Sequence, residues 1–269
     1  MRLVIIGHRS FIASYVAAAA RAQGQEVLAL PHNADLGSLL WREDRVVNFA
    51  VAPALRHLHY RVQDDFDLHV ARIAARTGAS FTMLSTRRVY ASEFSWNAVE
   101  TSPATGNETV FGQNKASSEK AVIAATDGRA SIFRLSNIFG YEYAAVGRET
   151  FFVQLLNRLK KDGQVVFNMS PGTRRDFLPV EICGDAIARH AGIGGIYNLG
   201  CGFPVPCADV ASWVLKGYEG GALISQSSEV RDEFFLNTEK WRGRFGLPVD
   251  LTQLSDYCAQ IGQRLRCEK

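Results

Sequence analysis

The chain has 269 residues, of which 47% are hydrophobic and 21% are charged, which is the composition of an ordinary globular protein. A formal net charge of +3 implies no strong electrostatic field for nucleic acid or an acidic membrane. No apolar run approaches the ~18 residues that span a bilayer, so we expect neither nucleic acid nor membrane as a partner. The length suits one α/β core that carries a smaller lobe.

The cysteines are odd in number and form no CxxC pair, which predicts reduced thiols in a cytoplasmic protein. They are Cys183, Cys201, Cys207, Cys258 and Cys267. His57 and His59 are two residues apart and would not share a helix face, so we predict no metal site. Met1 is followed directly by a strand-like segment, from which we expect no signal peptide.

Apolar strand-like runs alternate with helical patterns in the first half of the chain. We predict strands at 3–6, 27–30, 46–49, 81–84 and 131–135, and helices at 11–23, 62–76 and 111–126. This alternation is typical of an α/β fold with a doubly wound parallel sheet, the Rossmann arrangement.

Beyond about residue 141 the alternation becomes irregular. We predict helices at 151–161 and 180–190, a strand at 165–167, and a strand at 196–199 that returns to the main sheet. The tail from 202 to 267 mixes short helices and loops. We therefore expect residues 1–145 and roughly 174–200 to form a dinucleotide-binding core. Residues 146–173 and 201–269 would form a smaller, mostly C-terminal substrate lobe.

The turn after the first strand has the sequence GHRSFIA, in which a strand ends at Gly7 and a helix begins within three residues. The free N–H groups at such a helix start, together with the helix dipole, favour a pyrophosphate. Ser10 and Ala13 stand where glycines are usual, so a plain tight turn is the alternative. The cofactor-binding residues that we predict here are Gly7, Arg9, Ser10, Phe11 and Ile12.

Arg9 bears on the choice of cofactor. A guanidinium beside this turn can pair with the 2′-phosphate of NADP, whereas an acid at the end of the second strand selects the ribose hydroxyl of NAD. The second strand ends at Leu30, and no acid follows before Asp35. The sequence therefore favours NADP, with NAD as the alternative, unless Arg9 is only a solvated surface charge.

Four further segments occur in an order that resembles the extended short-chain dehydrogenase/reductase family, of the NAD-dependent epimerase/dehydratase type that modifies nucleotide sugars. They are 84–90 (LSTRRVY), 111–115 (FGQNK), 134–140 (RLSNIFG) and 175–180 (RDFLPV). Each motif alone is unspecific, but the ordered set extends over nearly the whole chain. The resemblance implies a nicotinamide cofactor and a nucleotide-diphosphate sugar, and it leaves open whether the protein is a monomer or a homodimer.

By this resemblance Thr86 is the hydroxyl that holds the reacting oxygen, and Lys115 is the cation that binds the nicotinamide ribose. Phe111 occupies the position of the family's catalytic tyrosine but has no hydroxyl to transfer a proton. Three interpretations remain open. Phe111 is a substitution of a catalytic tyrosine; or another acid acts, with Tyr90, Tyr141 and Glu142 as candidates; or the protein binds ligands without turnover.

The substrate side follows from the same resemblance. Arg175 and Arg231 match arginines that bind the diphosphate, and Asn137 matches an asparagine that bonds the diphosphate or the sugar. Arg174 and Lys160 are helpers by proximity only. A salt bridge to Asp176 or Glu181 is the structural alternative for Arg175, and a buried amide is the alternative for Asn137.

The link between the second and third predicted strands has only about fifteen residues. Such a short link resembles the 4-keto-sugar reductases and GDP-fucose synthase rather than many epimerases and dehydratases of the family. Arg87 and Arg88 stand where dehydratases place an Asp-Glu pair. We therefore predict an NAD(P)-dependent reductase of a nucleotide-linked 4-keto-deoxysugar. A 4-epimerase with tightly bound NAD and a non-catalytic dinucleotide-binding regulator are the alternatives.

Overall fold

The computed structural model describes residues 1–142, 150–246 and 248–268. The strands, in chain order, are β1 (Leu3–Ile6), β2 (Val27–Leu30), β3 (Arg45–Asn48), β4 (Ser80–Thr86), β5 (Trp96–Ala98), β6 (Ser131–Leu135), β7 (Asn137–Phe139), β8 (Gln164–Phe167), β9 (Arg174–Arg175), β10 (Phe177–Pro179), β11 (Gly195–Leu199), β12 (Val205–Pro206), β13 (Ala222–Ser225) and β14 (Phe235–Leu236). The helices are α1 (Phe11–Ala22), α2 (Leu36–Leu39), α3 (Ala54–His57), α4 (Phe66–Thr77), α5 (Val110–Ala125), α6 (Phe151–Asp162), α7 (Val180–His190), α8 (Cys207–Tyr218), α9 (Glu239–Phe245) and α10 (Leu251–Cys267).

The main sheet has six parallel strands in the order β2-β1-β3-β4-β6-β11. This confirms the doubly wound Rossmann arrangement and the return of the predicted strand at 196–199, which pairs with β6 as β11. The chain leaves β1 for β2 on one side and then places β3 on the other side. In open α/β sheets a ligand binds at such a switch point, outside the carboxyl ends of the strands.

The main sheet is covered on both faces because successive side chains of a strand point to opposite sides. Leu3 and Ile5 of β1 belong to the apolar cluster that includes α1 and α7. Val4 and Ile6 belong to the cluster formed with α4 on the other face. All four side chains are fully buried. A strand covered on both faces requires a hydrophobic residue at every position, and the short run LVII meets this requirement.

The smaller part of the molecule is built from α6, α8, α10 and the parallel pair of β8 and β13. Its apolar side chains continue the cluster that lies beneath α1 and α7, so the two parts share one core. The pairs β7–β10, β9–β12 and β5–β14 form three further two-stranded sheets. The predicted boundary at residues 145–146 lies outside the described residues.

Two predicted elements differ from the structure. The helix predicted at 62–76 is interrupted, because Asp65 accepts a hydrogen bond from the backbone of Leu68 at 3.1 Å and starts α4 only at Phe66. In the tail, α10 runs for 17 residues where we expected short helices. Asp250 and Gln253 form a capping box at its start. Within the described ranges, no helix is long and apolar enough to cross a membrane.

Candidate active site at the carboxyl edge of the sheet

Polar residues and glycine collect where β1, β3 and β4 end. Because these strands are parallel, their carboxyl ends meet at one edge of the sheet. Gly7 follows β1, Asn48 is the last residue of β3, and Thr86 is the last residue of β4. The predicted cofactor loop and the predicted hydroxyl partner therefore lie on the same edge.

The loop after β1 can accept a diphosphate. Gly7 has φ +78°, and a Cβ atom there would lie 2.7 Å from the backbone nitrogen of Ala50. Ser10 precedes α1 without a side-chain cap bond to any described residue, and the first turn of α1 contains no acid. Within the described chain, Nδ1 of His8 is buried without a hydrogen-bond partner. A helix start without an acid and the close backbone approach at Gly7 fit the diphosphate of a dinucleotide.

The other predicted cofactor residues lie around this turn. Ser10, Phe11 and Ile12 are half-buried, whereas Arg9 is exposed. The backbone N–H of His8 donates to the carbonyl of Leu30 at 3.3 Å, which places the residue before Arg9 against the end of β2.

Helix α5 lies close to the turn that follows β4. Its first residues are capped by the Thr109 hydroxyl, which accepts from the Gly112 N–H at 3.1 Å. A Cβ atom at residue 112 would lie 2.4 Å from the carbonyl oxygen of Arg88. This approach puts Phe111, which is half-buried, beside the turn after Thr86. The Thr86 hydroxyl accepts from the Arg88 N–H at 3.3 Å.

Lys115 lies one helical turn after Phe111, and its ammonium group is held by a carboxylate. The Nζ atom lies 2.7 Å from Oδ2 of Asp67, and each side chain is 3% exposed. Asn48 donates to Oδ1 of the same carboxylate at 2.7 Å. Burial raises the pKa of Asp67, while the charge of Lys115 acts in the opposite direction. An ammonium has three donors, and among the described residues the hydrogen-bond partner of this one is Asp67.

Sequence reasoning missed Asp67 and Asn48. A signal for Asp67 was present, because it shares a helical stripe with Val70, Ala71 and Ala74, all of which are buried. An acid in an apolar stripe with this spacing must find a partner inside the protein. The stripe does not identify the partner of Asp67, because Lys115 is 48 positions away in the sequence.

The three acids proposed to replace the missing hydroxyl have different surroundings. Tyr90 is 1% exposed, and its hydroxyl donates to Asn198 at 2.6 Å and accepts from Arg134 at 2.9 Å. Burial raises the pKa of Tyr90, so these contacts do not support it as a proton donor. The Tyr141 hydroxyl donates to Glu268 of the tail at 2.5 Å, and Glu142 is buried.

The predicted diphosphate arginines do not converge. The Arg175 guanidinium donates to the backbone carbonyls of Arg231 and Asp232, at 3.0 and 3.1 Å. The Arg231 side chain turns outward to Glu229 and is 52% exposed. Asn137 is half-buried, and its backbone N–H donates to the backbone carbonyl of Asp176 at 3.3 Å. Arg175 therefore contacts the backbone of Arg231 and not its guanidinium, and it also lies 3.8 Å from the Asp232 carboxylate.

The two helpers expected by proximity are engaged elsewhere. Arg174 pairs with Glu233 at 3.4 Å and lies 4.6 Å over the ring of Trp96. The Lys160 ammonium donates to the carbonyl of Leu265 at 2.9 Å and so fixes the end of α10. Their role as helpers of the diphosphate arginines stays a prediction.

A cavity of about 390 Å³ opens beside the turn after β4. It is lined by Arg87, Tyr90, Ser92, Ser95, Asn107, Glu108, Asp232 and Glu233. Arg87 is 8% exposed, pairs with Asp232 at 2.6 Å and lies 3.6 Å over the ring of Phe234. Burial lowers the pKa of Arg87, and the Asp232 carboxylate opposes this shift. In the sequence, Arg87 was notable only because it stands, with Arg88, where dehydratases place an Asp-Glu pair.

Comparison with known proteins gives a family and a fold. Residues 1–169 match the family model described as the RmlD substrate binding domain. The UDP-N-acetylglucosamine 4-epimerase from Bacillus cereus superposes with a TM-score of 0.80, at 14% identity over 99% of each chain. The UDP-glucose 4-epimerase from Thermus thermophilus, in complex with NAD, gives 0.76 at 17% identity over 98% of this chain and 99% of that chain.

A third similar structure is the Bordetella bronchiseptica enzyme WbmG in complex with NAD and UDP. Its TM-score is 0.77 at 20% identity, over 99% of this chain and 96% of that chain. At such identities the three structures show a shared fold, and the family model, which covers more than half of the chain, shows the family. The chain thus belongs to the RmlD substrate-binding-domain family, among the extended short-chain dehydrogenase/reductase enzymes.

Proposed function

We propose that this protein is a cytoplasmic NADP-linked reductase of a nucleotide-linked 4-keto-deoxysugar, in carbohydrate biosynthesis. One observation carries the proposal. The uncapped start of α1 lies at the same sheet edge as Thr86, and Gly112 brings α5, with Phe111 and Lys115, against that edge. A dinucleotide and a sugar can meet there.

The cofactor supplies or accepts a hydride when bound. Gly7 and the first N–H groups of α1 hold its diphosphate, and the two remaining donors of Lys115 bond its ribose. Exposed Arg9, next to the end of β2, pairs with a 2′-phosphate, and this favours NADP. NAD is the alternative, since the similar Thermus and Bordetella structures contain it.

The short link between β2 and β3, and Arg87 and Arg88 in place of an Asp-Glu pair, favour a reductase, and residue 111 bears on how the proton moves. Oxidation of a sugar hydroxyl requires a base that takes the proton as the hydride leaves. Phe111 has no atom that can accept this proton, and the positive charge of Lys115 is balanced by the Asp67 carboxylate. Reduction of a ketone is the reverse step and needs a proton donor at the same place, and in the proposed reductase water would supply this proton while the Thr86 hydroxyl holds the carbonyl oxygen.

A nucleotide-sugar 4-epimerase with bound NAD is the second candidate, because two of the similar structures are UDP-sugar 4-epimerases. A dinucleotide-binding protein without turnover is the third. It is supported by the combination of Phe111 and the buried pair of Asp67 and Lys115.

Restoring the hydroxyl tests the proposal. Phe111→Tyr supplies a proton donor beside Thr86, so we expect NADPH oxidation with a nucleotide-linked 4-keto sugar to rise about 10²–10⁴-fold. The KM should change little, because the added oxygen acts in the transition state. Phe111→Leu, which adds no hydroxyl, is the control and should leave turnover at its original level.

Two results contradict the proposal. Full turnover in the original protein, unchanged by Phe111→Tyr, means that another group moves the proton. Binding of both ligands without turnover in either form means that the protein is a binder. Mass spectrometry of the ligand that copurifies with the protein identifies the nucleotide and the sugar directly.

A further inference from the structure

A buried carboxylate neutralises the cation to which the proposed function assigns the cofactor ribose. Lys115 and Asp67 are each 3% exposed, and their charged atoms lie 2.7 Å apart. Asp67 also accepts from the Asn48 amide at 2.7 Å. Two donors at this distance, one of them charged, stabilise the ionised carboxylate against the burial that raises its pKa. Asp65, whose charge also reaches Asp67, accepts from the Ser118 hydroxyl at 2.9 Å.

Hydrogen bonds connect this pair to the loop after β1. The Asn48 side chain donates to the carbonyl of Ala50 at 3.0 Å, and the backbone N–H of Ala50 donates to the Asn48 amide oxygen at 3.0 Å. The Ala50 nitrogen is the atom that a Cβ at Gly7 would approach to 2.7 Å. A contiguous series of contacts thus runs from Gly7 through Ala50, Asn48 and Asp67 to Lys115. The Asp67 charge therefore lies within the proposed dinucleotide site.

Residue 111 cannot supply a negative charge of its own. A tyrosine at this position would become an anion on giving its proton to a substrate, and this anion would offset the Lys115 charge one helical turn away. Phe111 has no hydroxyl to ionise. The guanidinium of Arg56, 5.7 Å from the ring centre of Phe111, adds a further positive charge beside it. The balance of charge at Lys115 therefore depends on Asp67.

The charge of the cofactor changes during the proposed reduction. A hydride leaves the reduced cofactor for the carbonyl carbon, and water gives a proton to the carbonyl oxygen and becomes hydroxide. The cofactor is thereby oxidised, and its nicotinamide ring gains one positive charge. A lone ammonium at the ribose would repel this charge, whereas an ammonium paired with a carboxylate has no net charge and repels it far less.

We propose that Asp67 is a positioning residue that acts through Lys115 and raises the affinity for the oxidised cofactor relative to the reduced one. This inference rests on the proposed dinucleotide site and adds the balance between the two redox forms. Asp67 holds the ammonium in place and cancels its charge, as a tyrosinate at residue 111 would do. The bound cofactor is then a better hydride donor than it would be beside a lone ammonium.

The affinities for NADP+ and NADPH test this inference, because the two forms differ only in the charge and the hydride of the nicotinamide ring. Asp67→Asn removes the carboxylate charge and keeps the shape of the side chain. We expect titration calorimetry at about pH 6.5, where an ammonium stays charged, to show a rise of about three- to tenfold in the ratio of the NADP+ Kd to the NADPH Kd. This is the effect of a unit charge about 10 Å away at an effective dielectric constant of about 20–40. If NAD binds more tightly than NADP, the same ratio is measured with NAD+ and NADH.

Two controls separate charge from structure. Asp67→Asn combined with Lys115→Met removes both charges and should return the ratio to its original value, although both forms bind more weakly without the ammonium. Asp44→Asn is the matched single substitution, because Asp44 is 2% exposed and pairs with Arg2 at 2.8 Å but precedes β3, at the opposite edge of the sheet. It should leave the ratio unchanged. If Asp67→Asn does not fold, Asp67→Ser, which leaves space for water at the ammonium, gives the same test.

Four results would overturn the inference. An unchanged ratio in Asp67→Asn refutes it and leaves the proposed function standing. An equal loss of both affinities makes Asp67 purely structural. A ratio that stays raised when Lys115→Met is added shows that Asp67 does not act through Lys115. Absence of binding of either redox form to the original protein contradicts the proposed function as well.

Discussion

Phe111 and Lys115 lie one turn apart on α5, but their environments differ. Phe111 is half-buried at the turn after β4, and the guanidinium of Arg56 lies 5.7 Å from its ring centre. Lys115 is buried and is bound to Asp67. The Lys115 side chain is therefore fixed before any ligand binds, which reduces the entropy lost when its remaining donors bond a ribose.

We attribute the preference for NADPH over NADH to one residue, Arg9. If its guanidinium bonds the 2′-phosphate, NADPH should bind at least severalfold more tightly than NADH, since a charge-assisted bond contributes about 1.5–3 kcal/mol. Arg9→Ala should equalise the two affinities, measured by fluorescence titration. Arg21→Ala, in the last turn of α1, should keep the difference. Equal affinities in the original protein would favour the NAD-dependent epimerase.

At the scale of elements, the site depends on how closely α5 approaches the turn after β4. Gly112 permits the contact with the Arg88 carbonyl, and Asn114 on the same helix donates to the carbonyls of Leu55 and Leu58 at 2.9 and 2.7 Å. These bonds attach the short helix α3 to α5. The residues around Phe111 thus come from the turn after β4, from α3 and from α5 itself, and α5 contacts both of the other segments.

Gly112→Ala should separate α5 from this turn, because the new Cβ would lie 2.4 Å from the Arg88 oxygen. We expect a loss of about 1–3 kcal/mol in the free energy of unfolding, measured with urea, as for other overpacked sites. Gly243→Ala in α9 is the matched control, because no atom lies within 4 Å of its added Cβ. It should be stabilising by up to about 1 kcal/mol, from helix propensity. Equal effects of the two substitutions would show that α5 can shift without cost.

At the scale of the whole molecule, aromatic contacts join the tail to the main sheet. His190 ends α7, and its ring lies 3.9 Å from that of Phe245 in α9, measured between centres. Phe133 of β6 and Tyr197 of β11 contact Trp241 in the same cluster. The chain beyond β11 is therefore attached to the sheet through side chains that are distant in sequence.

His190 should make stability depend on pH. Burial lowers the pKa of His190, and the charge of Arg189 lowers it further. The unfolded chain then binds a proton more readily than the folded protein. The free energy of unfolding should thus fall as the pH decreases below about 6.5, the ordinary value, and level off below the folded pKa.

His190→Gln should reduce this acid-dependent loss, measured by urea unfolding between pH 7.5 and about 5. His59→Gln changes an exposed histidine and serves as the control. An identical pH dependence in the original protein and in His190→Gln would assign the loss to other groups.

The sequence alone determined the elements whose pattern is local. The strand at 131–135 and the helix at 180–190 were predicted with the bounds that the structure has, because burial on one or both faces leaves a periodic record along the chain. The ordered motifs likewise predicted the family. The capping signal of α10 is also local, in Asp250 and Gln253.

Tertiary structure alone decided which charged groups meet. Asp67 pairs with Lys115 across 48 positions, and Arg87 pairs with Asp232 across 145. Periodicity shows that a side chain is buried, but its partner depends on the order of the strands and on the packing of loops from distant parts of the chain. The same reason explains why Arg175 meets the backbone of Arg231 while the Arg231 side chain turns away to Glu229.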